Sequence, residues 1–198
     1  MLAKRLLTEH RRTRGFTLIE LLLVIAIIAI VSAVAMMNIW PAVANSRVDT
    51  AYQTAIMEVR QARQSAVDLR RQYRITFIAP QTILTQRLEQ NGQLTLIRTV
   101  TLPWDVQFLA VPGIPTQANQ VPDGFGAGAP AISFNNGIQI FFMPDGSARD
   151  VNGAINNGVL YLARPGQIQT SRAVSLFGAT GRIKGWRIVQ NAGVWSWQ

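Results

Sequence analysis

RTRGFTLIELLLVIAIIAI, Arg12–Ile30, sets one carboxylate, Glu20, five residues after a glycine inside a run otherwise fit for lipid. A lone acid at membrane depth costs roughly 2.5–3.5 kcal/mol on insertion scales, so it marks function and needs a partner. From Phe16 to Ile39 it is the only ionisable residue. Continued to Trp40 as a helix, the run measures about 37 Å at 1.5 Å per residue, enough to cross a hydrocarbon core of about 30 Å. Lys4, Arg5, Arg11, Arg12 and Arg14 precede it. This basic excess favours a cytoplasmic amino terminus, with the rest of the chain on the far side.

Three readings compete for the segment. Ala33-Val34-Ala35 supplies the small-x-small pattern of a secretory signal, which would release a soluble exported protein. An uncleaved anchor is the second. Both leave Glu20 unexplained and Gly15 unused. The third rests on Gly15-Phe16-Thr17-Leu18-Ile19-Glu20 and the apolar run after it, which closely resemble the signal of type IV prepilins and type II secretion pseudopilins. The resemblance covers Arg14 to about Asn38. It implies that a prepilin peptidase cuts between Gly15 and Phe16 and N-methylates Phe16. It also implies that the Glu20 carboxylate neutralises the amino terminus of a neighbouring subunit during filament assembly. An ammonium and a carboxylate that meet in a low-dielectric helix bundle relieve each other's desolvation, which supplies the missing partner.

With 198 residues, 48% of them hydrophobic, the chain holds one membrane segment and one domain of ordinary size. The formal charge is +9; the leader's five basic residues against Glu9 account for part of it, leaving +5 beyond Gly15. There is no cysteine, so disulfides and thiolate metal sites are excluded. His10, the only histidine, lies in the leader, and cleavage would remove the commonest general base and metal ligand. The expectation is a non-enzymatic protein without cofactor or metal.

Beyond the span, Pro41 lacks the donor that a helix interior needs and is expected to kink or interrupt the helix, with Asn45 or Ser46 capping a restart. Ile56, Val59, Ala62, Ala66, Leu69 and Tyr73 then recur at spacings of three or four, an amphipathic helix within 41–74. Residues 75–198 change period. Arg74–Ile78 and Thr82–Thr85 read as short strands, and Asn91-Gly92 between apolar runs predicts a hairpin with a type I′ turn. Val111–Pro130, crowded with proline and glycine, is expected to be a long surface loop. Ile138–Phe142, Gly158–Ala163, Ala173–Phe177, Ile183–Val189 and Val194–Trp197 complete a β-rich exported domain, so the fold class is α+β.

The basic helix Val59–Arg74, the Phe141–Ala148 strand and turn, and Thr180–Lys184 are similar to the GspH/FimT group of minor pilins and pseudopilins. That resemblance implies a long N-terminal helix packed on antiparallel β-sheets. The partners it implies are other pilin subunits, prepilin peptidase and an inner-membrane assembly platform. The location it implies is the bacterial inner membrane, as a single-pass protein with its C-terminal domain periplasmic, and then a filament. Some FimT-type pilins capture DNA through a basic Gly-Arg-x-Arg motif; here Gly181-Arg182-Ile183-Lys184 keeps the charge but loses the second planar fork. Arg182, Lys184, Trp186 and Arg187 are therefore candidate DNA-binding residues, cations neutralising phosphate and an exposed indole stacking on bases, against a solvated strand face with its tryptophans in the core. Arg149, Arg164 and Arg172 would extend the patch if the fold gathers them. Asp145, Asp150, Asn152 and Asn156 have calcium-type oxygens but no EF-hand spacing, and turn formation explains them equally.

Overall fold

The computed structural model describes residues 16–117, 125–126, 128–135 and 137–198, with backbone alone for 37–42. The leader 1–15, Gly15 included, and part of the 111–130 segment lie outside them. Two compact units meet between Ala42 and Val43. One helix, α1 (Leu18–Asp68), contributes to both, so the expected interruption at Pro41 does not occur. Proline removes a single intrahelical donor, whereas a break would create two further helix ends with their unpaired N–H and C=O groups. Ser46 is accordingly a helix-interior residue rather than a cap, its carbonyl accepting from Thr50 Oγ1 at 2.9 Å.

The helix also stops earlier than residue 74. Arg70 takes φ +50°, the Arg71 N–H reaches back to the Ala66 carbonyl and the Arg70 N–H to that of Val67, the paired bonds of a Schellman cap. Tyr73 is thereby in a strand, and Leu69 is exposed instead of facing the core. The face the helix does bury runs Val48, Ala51, Tyr52, Ala55, Ile56, Val59, Ala62 and Ala66.

Among the described residues eleven strands follow: β1 (Tyr73–Ile78), β2 (Thr82–Leu88), β3 (Leu94–Thr101), β4 (Gln107–Phe108), β5 (Ile132–Phe134), β6 (Gln139–Phe142), β7 (Ala148–Arg149), β8 (Gly158–Arg164), β9 (Gln167–Phe177), β10 (Arg182–Asn191) and β11 (Val194–Trp197). They form two antiparallel sheets, ordered β3-β2-β1-β6-β7 and β11-β10-β9-β8-β4, with β5 also pairing β8. The β2–β3 hairpin forms where Asn91-Gly92 predicted it, but its turn is not type I′: Gly92 is at φ +79° while Asn91 keeps negative φ. Gly92 N–H bonds the Glu89 carbonyl and Glu89 N–H the Gln93 carbonyl, a three-residue loop whose left-handed position falls to glycine.

The main core lies between the inward face of α1 and both sheets, with Ile75, Phe77 and Ile83 from the first sheet and Leu160, Leu162, Val174 and Leu176 from the second. A second core covers the opposite face of the second sheet, which explains why β8 and β9 are buried on both sides. Its cover comes from the 111–130 segment. Val111, Ile114 and Phe125 are buried there, whereas Pro112, Gly113, Thr116 and Gly128 are exposed, so the described part is a loop that lies on the sheet and covers it. Phe125 packs edge-on against Trp186 and Trp197, centroids 5.2 and 5.4 Å away, and pairs its backbone with Gln117. Burying three rings and two aliphatic side chains outweighs the irregular backbone that proline and glycine impose.

Candidate functional site

The first candidate is the start of α1. Thr17 Oγ1 accepts the Glu20 N–H at 3.3 Å, and the Thr17 carbonyl accepts the Leu21 N–H at 3.1 Å. Thr17 is therefore the N-cap and Glu20 the third helical residue, the spacing of a capping box, with the acid also at the positive end of the helix dipole. Sequence reasoning singled out Glu20 and missed Thr17, although Thr-x-x-Glu was the legible signal. Phe16 is 79% exposed, and among the described residues none of the apolar stretch Leu18–Met36 is buried. Among the described residues no ion pair engages Glu20. The helix thus offers an apolar surface and an acid whose counter-charge must come from elsewhere.

The second candidate is the basic C-terminal region. On β10 alternate residues share a face. Arg182, Lys184, Trp186 and Ile188 face outward, toward the second core; Ile183 and Arg187 face α1. Trp186 is only 2% exposed, with its indole N–H donated to Ser175 Oγ at 2.9 Å and the Lys184 ammonium 3.5 Å above its ring. It is not a stacking platform for bases. Arg187 is on the opposite face, its guanidinium 5.6 Å from the Tyr52 ring and 3.8 Å from Asp49. The four predicted residues therefore do not form one surface. Nor do the other arginines join them: Arg172 pairs Asp49 at 3.1 Å, Arg164 pairs Asp105 at 3.3 Å, and Arg149 donates to the Gly153 carbonyl.

What the fold does gather is a different set. Arg60, Arg63 and Gln64 from α1 and Thr180 to Ile183 line a cleft of about 520 Å³. Arg63 crosses its floor, Nε donating to the Gly146 carbonyl and Nη2 to that of Thr180, each at 3.1 Å. The helix and the two Gly-containing turns that carried the subgroup resemblance are thus tied by one guanidinium. Gly181, at φ +62°, is required by the approach: a Cβ there would lie 2.0 Å from the Gly146 carbonyl oxygen.

The acidic turns are accounted for locally. Asp145 Oδ1 accepts from the Ser147 hydroxyl and N–H, which hold its pKa below the usual carboxylate value. Asp150 Oδ1 accepts from the Asn152 and Ala154 N–H groups, and Asn156 is fully buried and bonded to backbone. Among the described residues no cluster of His, Asp or Glu fit to hold a metal occurs.

Residues 10–36 match the prokaryotic N-terminal methylation motif. A search of curated proteins finds no match. Among solved structures the chain is similar to the minor pseudopilin EpsH of the Vibrio cholerae type 2 secretion system, at 11% identity and a TM-score of 0.47 over 71% of this chain and 97% of that one. It is similar at 12% identity and the same TM-score to the type IV minor pilin FimU of Pseudomonas aeruginosa, over 76% and 93% of the two chains. Residues 10–36 thus carry the methylation motif, and the fold is α+β, a long helix against antiparallel sheets.

Proposed function

We propose that the chain is a minor pilin or pseudopilin of the GspH/FimT kind, a structural subunit of a type II secretion pseudopilus or a type IV pilus. The single observation that carries this reading is the methylation motif seated on a helix whose apolar stretch Leu18–Met36 is exposed throughout among the described residues. The precursor sits in the inner membrane with its amino terminus cytoplasmic and its domain on the far side. Cleavage between Gly15 and Phe16 creates an ammonium, N-methylated at Phe16, and Glu20 of an adjoining subunit neutralises it as the helices pack. The Thr17 cap fixes the first turn and hence the direction from which Glu20 is offered. Replacing Glu20 with alanine is expected to leave the domain's unfolding unchanged and to lower recovery with partner pilins in a pull-down; full recovery overturns the role. The intact mass of protein from its host tests the processing: a chain beginning at Met1 excludes it, and one beginning after Ala35 indicates the secreted alternative.

The cleft favours one second reading, a DNA-binding minor pilin acting in DNA uptake. Its surface would be Arg60 and Arg182, without base stacking, since Trp186 is buried and Arg63 is committed to carbonyls. Binding of this kind is purely electrostatic and falls steeply with salt. Arg60→Ala with Arg182→Ala is expected to abolish DNA retardation at low salt, and unchanged retardation removes the reading.

A further inference from the structure

Trp104 is 75% exposed, and of the described residues beyond the span it is the one fully exposed aromatic. Its exposure is built, not incidental. A turn closed by the Val106 N–H on the Pro103 carbonyl, 2.9 Å, carries Trp104 outward and Asp105 inward. The Asp105 carboxylate, its side chain 4% exposed, sits 3.5 Å from the Arg47 guanidinium and 3.3 Å from that of Arg164. Arg47 also lies over the Trp104 ring, 5.7 Å from its centroid. One buried acid thus pins two arginines beside an indole that the domain does not use in its core. The cluster has more positive than negative charge, and Asp49 with Arg172 and Arg187 adds a further positive excess beside Tyr52, one turn along the helix from Arg47.

The sequence says where this cluster lies relative to lipid. Arg47 is the first ionisable residue after Glu20. No residue between them is ionisable, so Arg47 is the first cation beyond the apolar segment that can meet phosphate. A tryptophan flanked by arginines at that level is the composition that partitions into the membrane interface, the ring among the glycerol and upper acyl groups and the guanidiniums on phosphate. We infer that Pro103–Asp105, Arg47 and Arg164 form a collar that seats the exported domain on the phosphate headgroups of the membrane its own helix crosses, before the subunit leaves that membrane. The inference rests on the membrane-span part of the proposed function, not on the filament.

The test uses the full chain in vesicles of phosphatidylethanolamine and phosphatidylglycerol, with matched vesicles whose lipids carry bromine near the top of the acyl chain. Trp186 and Trp197 are buried, Trp195 is half-buried, and these three and Trp40 are common to both chains compared, so the difference between the parent chain and Trp104→Phe isolates the emission of Trp104. The collar predicts that this difference emission is blue-shifted and quenched in brominated vesicles, and that Arg47→Gln with Arg164→Gln weakens the quenching. Equal quenching of parent and Trp104→Phe overturns it, as does a Trp104 emission that shifts only when partner pilins are added, which would make the turn a protein contact. Recovery of the chain in the soluble fraction would remove the span reading and the collar together, an outcome distinct from a pelleted chain with an unquenched Trp104.

Discussion

Gly92 and Gly181 both have positive φ, yet they answer to different forces. At Gly92 nothing lies within 4 Å of an added Cβ, so Gly92→Ala pays conformation alone, about 1 kcal/mol. At Gly181 the same methyl meets the Gly146 carbonyl and Arg63 together, and Gly181→Ala is expected to cost at least about 2 kcal/mol more, measured by denaturant unfolding. The need for the first was legible in Asn-Gly. The need for the second was not, because Arg63 and the carbonyls it holds are 83 and 117 residues apart in sequence. Trp186 shows the same limit: period two told which residues share its face but not which face is covered. Asp145 offers a finer test, since the Ser147 hydroxyl is the first cause of its lowered pKa; Ser147→Ala is expected to move that pKa back up toward the ordinary value in an NMR titration.

Among the elements, several strands were legible because Asn-Gly, Asp-Gly or Ala-Gly punctuates them, whereas the short β4 carries no such signal, and the end of α1 carried no glycine and was placed too late. Arg70 occupies the left-handed position of that cap at a strain of roughly 1 kcal/mol. Arg70→Gly is accordingly expected to stabilise the domain by about 0.5–1 kcal/mol, read as a raised thermal midpoint. The edge strand β3 is exposed along nearly its whole length, with Leu94, Leu96 and Ile97 in water and a bulge where Thr85 and Gln86 shift register. Such an edge templates pairing with other chains. Leu96→Lys is expected to lower concentration-dependent light scattering of the isolated protein while leaving its unfolding midpoint within error, because the side chain it replaces contributes little burial.

At the scale of the whole molecule, the apolar amino-terminal helix and its methylation motif were legible because one acid stands out in an otherwise apolar run, while the second core was hidden in a stretch without any apolar period. A buried tyrosine in each core also bears on stability in alkali. Burial pushes the Tyr161 hydroxyl up to about 12 and raises that of Tyr52. The unfolded chain releases these protons near pH 10 and the folded chain holds them, so stability is intact below about 10 and declines as pH rises from there through the folded value, by up to about 1.4 kcal/mol per pH unit per group. Denaturation between pH 9 and 11 is expected to show a shallower decline in Tyr161→Phe. The helix, finally, is fastened to both sheets at separate heights: Asp49 to Arg172 on β9, Glu58 to Arg98 on β3, and Arg63 to the two turns. These fastenings are spread over roughly 20 Å of helix axis. Force applied along the helix is therefore shared among several rivets, and the sheets travel with the shaft instead of peeling from it.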